Sequence, residues 1–316
     1  MHLHCGKEVR MEILEKAKIL ISALPYFREF YKKIMVIKYG GHAMVDEDLK
    51  RAFAQDIALM KYVGIRPIIV HGGGPQINKV MERMGIKPVF IEGQRVTDEE
   101  TMNVVEMVLV GTVNKEIVSL INHSGVPAVG LSGRDGNLII AEKMKIYKYT
   151  GEDRPPEIID IGRVGKVKEV NPGVLYTLIE REFVPVIAPV GVGPDGCAYN
   201  INADLVAGAL AGALKAEKLI YLSDVEGVKN KENELISTLY VEDIQELIDE
   251  GVAKGGMIPK LKSARKAIKA GVKKVHIIDG RIPHSLLIEL FTDEGLGTQI
   301  ISKNPVEEVK VGEGRA

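Results

Sequence analysis

Six short runs of apolar and β-branched residues restrict what this chain can fold into more than any other feature: Ile34–Lys38, Pro67–Val70, Ala128–Leu131, Val184–Pro189, Lys218–Leu222 and Lys274–Ile278. Each leads into a glycine-bearing turn and then a stretch with helical patterning, the alternation expected of parallel βαβ units. Runs such as Pro67–Val70 and Leu219–Leu222 are apolar without interruption. That is the pattern of strands covered by helices on both faces of a sheet. The fold class expected is therefore α/β, a three-layer α/β/α sandwich around a central, mainly parallel sheet. Its helices should span Asp46–Val63, Pro75–Met84, Asp98–Asn122, Asn171–Arg181, Asn202–Leu214, Val241–Glu250, Met257–Ala270 and His284–Phe291. Thr97 or Asp98 can cap the third, and Pro75 suits a first helical position. The stretch Tyr147–Gly165 reads as a hairpin or excursion outside the sheet.

Bulk properties exclude several functions. At 316 residues and 46% hydrophobic content, the chain can bury a core large enough for two lobes. Lysine and arginine total 42 against 43 aspartates and glutamates, so no overall field draws it to nucleic acid or an anionic membrane. Any anion site has to be local. Cys5 and Cys197 are too few for a disulfide framework, which fits a reducing cytoplasm. The first residues, Met1–Lys18, carry acidic groups and no long apolar run, as neither a secretory signal nor a membrane anchor would.

Residues 11–33 place Leu14, Ala17, Ile21 and Leu24 at helical spacing ahead of the first strand. Such a stripe either docks on the chain's own core or serves self-association, and Pro25 should interrupt it. Residues 304–316 are charged and glycine-containing, and are expected to fray.

Two glycine-rich turns sit where strands end: Lys38-Tyr39-Gly40-Gly41-His42 and His71-Gly72-Gly73-Gly74-Pro75. One such turn alone serves as readily to reverse the chain. Two, with a lysine beside the first, suggest backbone N–H groups presented to a phosphate at the sheet edge where ligands of open α/β folds collect. No GxxxxGK[ST] sequence occurs, which disfavours a classical P-loop. Gly191, Gly193 and Gly196 match GxGxxG, but Pro194 and Asp195 make a turn and the next helix begins too late to meet a pyrophosphate. His42 and His71 lack a third ligand at metal-binding spacing, and His2-Leu3-His4-Cys5 lies too near the terminus to build on, so no metal centre is expected.

The motifs VIKYGGHAM (Val36–Met44), IIVHGGGPQIN (Ile68–Asn78), GQRVTD (Gly93–Asp98), YNINADLVA (Tyr199–Ala207) and GGMIPKLKSA (Gly255–Ala264) resemble, in order and spacing, those of the acetylglutamate kinases of the amino acid kinase family. The likeness runs from about Lys33 to Ile301. It implies a carbamate kinase-like fold with two lobes: a helical extension for oligomerisation over 1–33, an acetylglutamate and phosphoryl lobe over 34–214, an ATP lobe over 215–304, and a tail over 305–316. By the same resemblance Lys38 and Lys260 stabilise the transferring phosphoryl group and Asp204 holds both. Gly41, Gly73 and Gly74 face the reactants with backbone amides, Arg95 grips the substrate's α-carboxylate, and Asn200 orients its acetylamino group or a nearby carboxylate. Asp224 and Gly227 match the adenine and ribose loop. On surface statistics alone, Lys38 and Arg95 would pass as ordinary solvated charges.

The cofactors implied are ATP and Mg2+, the metal carried largely by phosphates and water. The carboxylate acceptor of N-acetyl-L-glutamate is ionised at neutral pH and needs no general base. The helix before the first strand resembles the subset that forms hexamers, as trimers of dimers, and is inhibited by L-arginine; His284, Glu289 and Gly295 are its candidate contacts. Two rivals remain: a kinase for aminoadipate or glutamate linked to a carrier protein, and a catalytically silent arginine-sensing domain. GQRVTD and YNINAD turn the reading away from aspartate, uridylate or carbamate kinases.

Overall fold

The apolar runs all become strands of one sheet, five of them inner and Ala128–Ser132 at its edge. The protein is described by a computed structural model covering residues 14–148 and 157–304. Its central sheet contains β1 (Ile34–Tyr39), β2 (Arg66–His71), β3 (Ala128–Ser132), β4 (Val184–Ala188), β5 (Lys218–Ser223), β6 (Thr238–Tyr240), β7 (Lys274–Asp279) and β8 (Gly297–Ile301). They lie in the order β6-β8-β7-β5-β1-β2-β4-β3. Every pairing is parallel except that of β7 with β8. The helices are α1 (residues 14–22), α2 (Leu24–Phe30), α3 (Glu47–Tyr62), α4 (Gly74–Arg83), α5 (Glu99–Glu106), α6 (Asn114–His123), α7 (Gly173–Glu180), α8 (Ala203–Ala213), α9 (Ile244–Asp249), α10 (Met257–Lys269) and α11 (Ser285–Phe291).

The uninterrupted apolar character of the strands has a direct cause, because successive residues serve different cores. Met35, Ile37 and Ile69 pack with α3, α5, α6 and α11 on one face. Val36, Ile68 and Val70 pack with α7, α8 and α10 on the other. Beside the sheet, Ile139–Lys143, Val164–Val170, Val190–Val192 and Ala198–Ile201 close into a small four-stranded barrel. The GxGxxG match is the turn of a hairpin in this barrel, where the Gly193 N–H donates to the Cys197 carbonyl at 2.9 Å. Around the stretch read as an excursion, Ile146–Lys148 pairs antiparallel with Glu157–Ile159, outside the central sheet.

Two expectations change in detail. The helix foreseen over Asp98–Asn122 is three pieces: α5, a π-helical segment Met107–Val113, and α6. The wider π turn keeps Val108, Leu109 and Val113 buried and delivers Asn114 to the sheet with no exposed surface. Near the start, the helical stripe breaks at Ala23, with Pro25 in the first turn of α2. Only the second part docks, through an edge-to-face contact of Phe27 with Phe291 and the buried Phe30. On α1, Leu14, Ile19, Leu20 and Ile21 are each at least 60% exposed. Cys5, the His2–Cys5 segment and the tail after Asn304 lie outside the described residues. Among the described residues, no helix is long and apolar enough to cross a membrane.

Candidate active site

Three elements converge at one edge of the sheet. Lys38 lies near the end of β1, Asp204 in the first turn of α8, and Lys260 in the first turn of α10, which packs along α8. Asn202 caps α8 by accepting from the Asp204 and Leu205 N–H groups. That cap fixes where the Asp204 carboxylate emerges. Lys260 donates to its Oδ2 at 2.8 Å. Lys38 stands 3.2 Å from Oδ1, an ion pair without hydrogen-bond alignment. The backbone is pinned as well, since the Asp204 carbonyl accepts from Ser263 Oγ at 2.6 Å and from the Tyr221 hydroxyl at 3.3 Å. The Lys260 ammonium lies 5.2 Å from the Tyr221 ring centre.

Burial would raise the Asp204 carboxyl, but the Lys38 and Lys260 ammonium groups outweigh it and hold the pKa below the usual carboxylate range. Burial lowers the Lys260 pKa; Asp204 opposes this and Lys38 adds to it. Lys38 and Lys260 share the one carboxylate that lies between them, with Asp224 a further negative charge acting on Lys260.

The glycine turns frame this cluster. The first continues as a single 3-10 turn, Gly41–Met44, whose His42 N–H donates to Asp224 Oδ1 at 2.6 Å. Gly41 has φ +72°, and a Cβ there would fall 2.4 Å from the same oxygen, so both backbone and space require glycine. The second turn is joined to the first by the Gly72 N–H, donating to the Tyr39 carbonyl at 2.8 Å. Gly73, at φ +154°, lies under the π segment, where a Cβ would meet Leu109 Cδ2 at 2.5 Å. Gly74 opens α4.

Arg95 comes from a two-stranded hairpin and is 7% exposed. Its Nη2 donates to Asn78 Oδ1 at 2.6 Å and to the Gly74 carbonyl at 3.3 Å, and the guanidinium lies 4.7 Å from the Phe90 ring centre. Burial lowers its pKa, and no carboxylate pairs with it among the described residues. Asn200, on a barrel strand, donates to Thr97 Oγ1 at 3.4 Å, and Thr97 Oγ1 donates to the Arg95 carbonyl at 2.8 Å. Arg95 and Asn200 are thus linked through Thr97, and Arg95 reaches the second glycine turn. Asn78 was legible only as the end of its motif, and Thr97 only as a possible helix cap, a role that Asp98 takes by accepting from the Thr101 N–H; Ser263 and Tyr221 carried no separate signal.

Of the remaining candidates, Asp224 borders this cluster and the others lie elsewhere. Asp224 binds the first glycine turn and, with Gly227, Lys229, Lys254 and Arg281, lines a cleft of about 460 Å³. His284, in a left-handed conformation, pairs through Nδ1 with Asp56 Oδ1 at 2.6 Å. Burial raises the Asp56 carboxyl to about 6 while His284 opposes the shift. Glu289 is 9% exposed and engaged by His276 Nδ1 and, at 2.9 Å, by the Leu296 N–H; Gly295 lies alongside. Among the described residues, no three or more His, Cys, Asp or Glu side chains group as metal ligands.

Comparison with known proteins agrees with this architecture. The pattern of the amino acid kinase family matches residues 33–279. An acetylglutamate kinase of Syntrophus aciditrophicus is 60% identical over 287 residues, covering 91% of this chain and 97% of that one. An N-acetylglutamate synthase of Neisseria gonorrhoeae, solved with coenzyme A and N-acetyl-glutamate, superposes with a TM-score of 0.78 at 27% identity, over 91% of this chain but 64% of the synthase. The same synthase has been solved with coenzyme A and L-arginine, with a TM-score of 0.75 at 25% identity over 91% of this chain and 65% of the synthase. A carbamate kinase of Giardia lamblia bound to AMP-PNP shares the fold, with a TM-score of 0.60 at 19% identity over 86% of this chain and 99% of that one. The chain belongs to the amino acid kinase family.

Proposed function

We propose that this chain transfers the γ-phosphoryl group of ATP to the side-chain carboxylate of N-acetyl-L-glutamate, giving N-acetyl-L-glutamyl 5-phosphate in the second step of arginine biosynthesis. The observation that carries the reading is the Lys38–Asp204–Lys260 cluster at the mouth of two glycine turns, in a chain 60% identical to a protein named for this activity. A carboxylate oxygen attacks the γ-phosphorus, the bond to the β,γ-bridging oxygen breaks, and ADP leaves with that oxygen and its charge. The transferring group is loosely bonded and its charge is spread, so the enzyme's task is positioning and neutralisation. Lys38 and Lys260 supply the cations, Asp204 spaces them, and the amides of Gly41, Gly73 and Gly74 bind the non-bridging oxygens. Arg95 is a buried cation awaiting an anion, suited to an α-carboxylate. Asn200 orients the acetylamino end.

The nucleotide enters as MgATP, its metal held by phosphate oxygens and water. The cleft at Asp224 and Gly227 is the assigned nucleotide site, with 34–214 as the substrate lobe and 215–304 as the nucleotide lobe. The apolar residues exposed on α1 support residues 1–33 as an oligomerisation extension within a hexamer. L-arginine is the proposed inhibitor, at His284, Glu289 and Gly295, in a cytoplasmic enzyme.

Hydroxylamine trapping of the acyl phosphate tests the reaction. With ATP, N-acetyl-L-glutamate should give product while glutamate, aspartate and N-acetylaspartate do not, and Lys260→Ala should lower the rate by about a hundredfold or more. No trapping with any free acid would discard the reading in favour of a carrier-linked acceptor or a silent sensor. An arginine titration of the same assay tests the inhibitor.

A further inference from the structure

The turn His71–Gly74 is steered from behind, by a group on the face of the sheet opposite the cations. His71 is fully buried. Its Nδ1 lies 2.8 Å from the Gly72 carbonyl, and its Nε2 lies 3.2 Å from Asn114 Nδ2. The same Asn114 nitrogen lies 2.9 Å from the Val186 carbonyl and 3.3 Å from the Leu131 carbonyl. Carbonyls only accept, so the atom between them is the amide NH2 and it turns a hydrogen towards Nε2. An imidazole nitrogen that accepts carries no proton, which leaves the proton on Nδ1, directed at Gly72. The chain makes room for this arrangement: a Cβ on Gly130 would fall 1.8 Å from Asn114 Oδ1. Lys115 closes the network, its Nζ donating to Asn114 Oδ1 and to the Gly130 carbonyl, each at 3.2 Å.

A peptide unit is planar and trans, so its C=O and the following N–H point in opposite directions. His71 follows Ile69 on the face that carries α3, α5 and α6; Lys38 follows Val36 on the face that carries α8 and α10. Holding the Gly72 carbonyl towards the His71 ring therefore turns the Gly73 N–H towards Lys38, Asp204 and Lys260. No described hydrogen bond within the protein uses that N–H. We propose that His71, kept as the neutral Nδ1–H tautomer by Asn114, is a positioning residue that sets the direction of the Gly73 N–H and so forms the donor meeting the transferring phosphoryl group. This rests on the phosphotransfer reading above. Reversing that one peptide would present a carbonyl oxygen to the phosphate in place of a donor, opposing the reaction.

The proton is located first, by long-range 1H–15N correlation on full-length protein carrying 15N-histidine, with the His71 signals identified from their absence in His71→Asn. The expected result is one proton, on Nδ1, from pH 8 to pH 5. A proton on Nε2, or a charged ring at pH 7, overturns the proposal whatever the activity. Kinetics follow. In His71→Leu, kcat should fall about tenfold to a hundredfold while the KM values for both substrates stay within about threefold. His71→Asn can place an amide N–H near the position of Nδ1–H and should recover most of the loss. A kcat of His71→Leu within twofold of wild type, or equal losses in His71→Leu and His71→Asn, overturns it. If wild type phosphorylates no free acid, the reading of function fails while the tautomer spectrum still decides the geometry.

Discussion

Arg95 shows how a residue's surroundings narrow its role. It is buried, tied to Asn78 and Gly74, and unpaired by any described carboxylate. That leaves its charge available for the anionic substrate group proposed above. Arg95→Lys keeps the charge but loses the planar fork, and is expected to raise the KM for N-acetyl-L-glutamate about tenfold to a hundredfold, with the KM for ATP unchanged. Steady-state kinetics with each substrate varied in turn check this. His71 makes a second prediction, about acid. Burial holds its pKa at about 4 against an ordinary 6.5. Between those values the unfolded chain binds the proton and the folded one does not. The contribution is thus complete above pH 6.5 and lost as pH falls towards 4, about 3 kcal/mol in all. Urea unfolding at pH 7 and pH 4.5 should show a smaller acid loss in His71→Asn than in wild type. Lys38, Asp204 and Lys260 were legible because each sits in a distinctive motif. Asn114 was not, because one asparagine in a long helical pattern carries no mark, and its meaning comes from carbonyls on strands that chain order does not bring near.

The π segment Met107–Val113 is the element with the most specific duty, since its Leu109 covers Gly73 and its end delivers Asn114. Gly73→Ala forces a Cβ into that contact at a φ unsuited to it, and is expected to cost about 2 kcal/mol of stability and most of the activity. Calorimetry and the trapping assay would record both. Adding Leu109→Ala relieves only the collision and should leave the backbone strain. At the other extreme stands α1, apolar yet uncovered. Removing residues 1–22 should reduce the number of subunits per particle measured by light scattering and leave the per-subunit rate within about twofold; an unchanged number of subunits would refute the oligomerisation role. Six of the sheet's strands could be read because they are apolar runs, five of them largely buried on both faces and the sixth, Ala128–Ser132, half-buried at the edge. β6 and β8 could not: Thr238–Tyr240 is three residues long, and Gly297–Ile301 mixes polar with apolar positions at the edge side of the sheet. The π turn was invisible since helical periodicity survives one widened turn.

Across the whole molecule, the proposed site draws on strand ends of the central sheet for Lys38 and the turn at His71, on helix starts for Asp204 and Lys260, on a separate hairpin for Arg95 and on the small barrel for Asn200. The order of strands could not be derived from the pattern, which fixes which face each residue serves but not which neighbour it pairs with. β1 lies in the interior of that order, between β2 and β5. It is also the first strand of the sheet to be made, and β5 follows about 180 residues later. At roughly 5–20 residues per second, a nascent chain carries β1 with one edge of unpaired N–H and C=O groups for about 10–40 s before its partner leaves the ribosome. Biosynthesis of this protein thus includes a timed interval of exposure, during which chaperone binding or mispairing with another nascent copy competes with folding, and which slower translation ahead of Lys218 would lengthen.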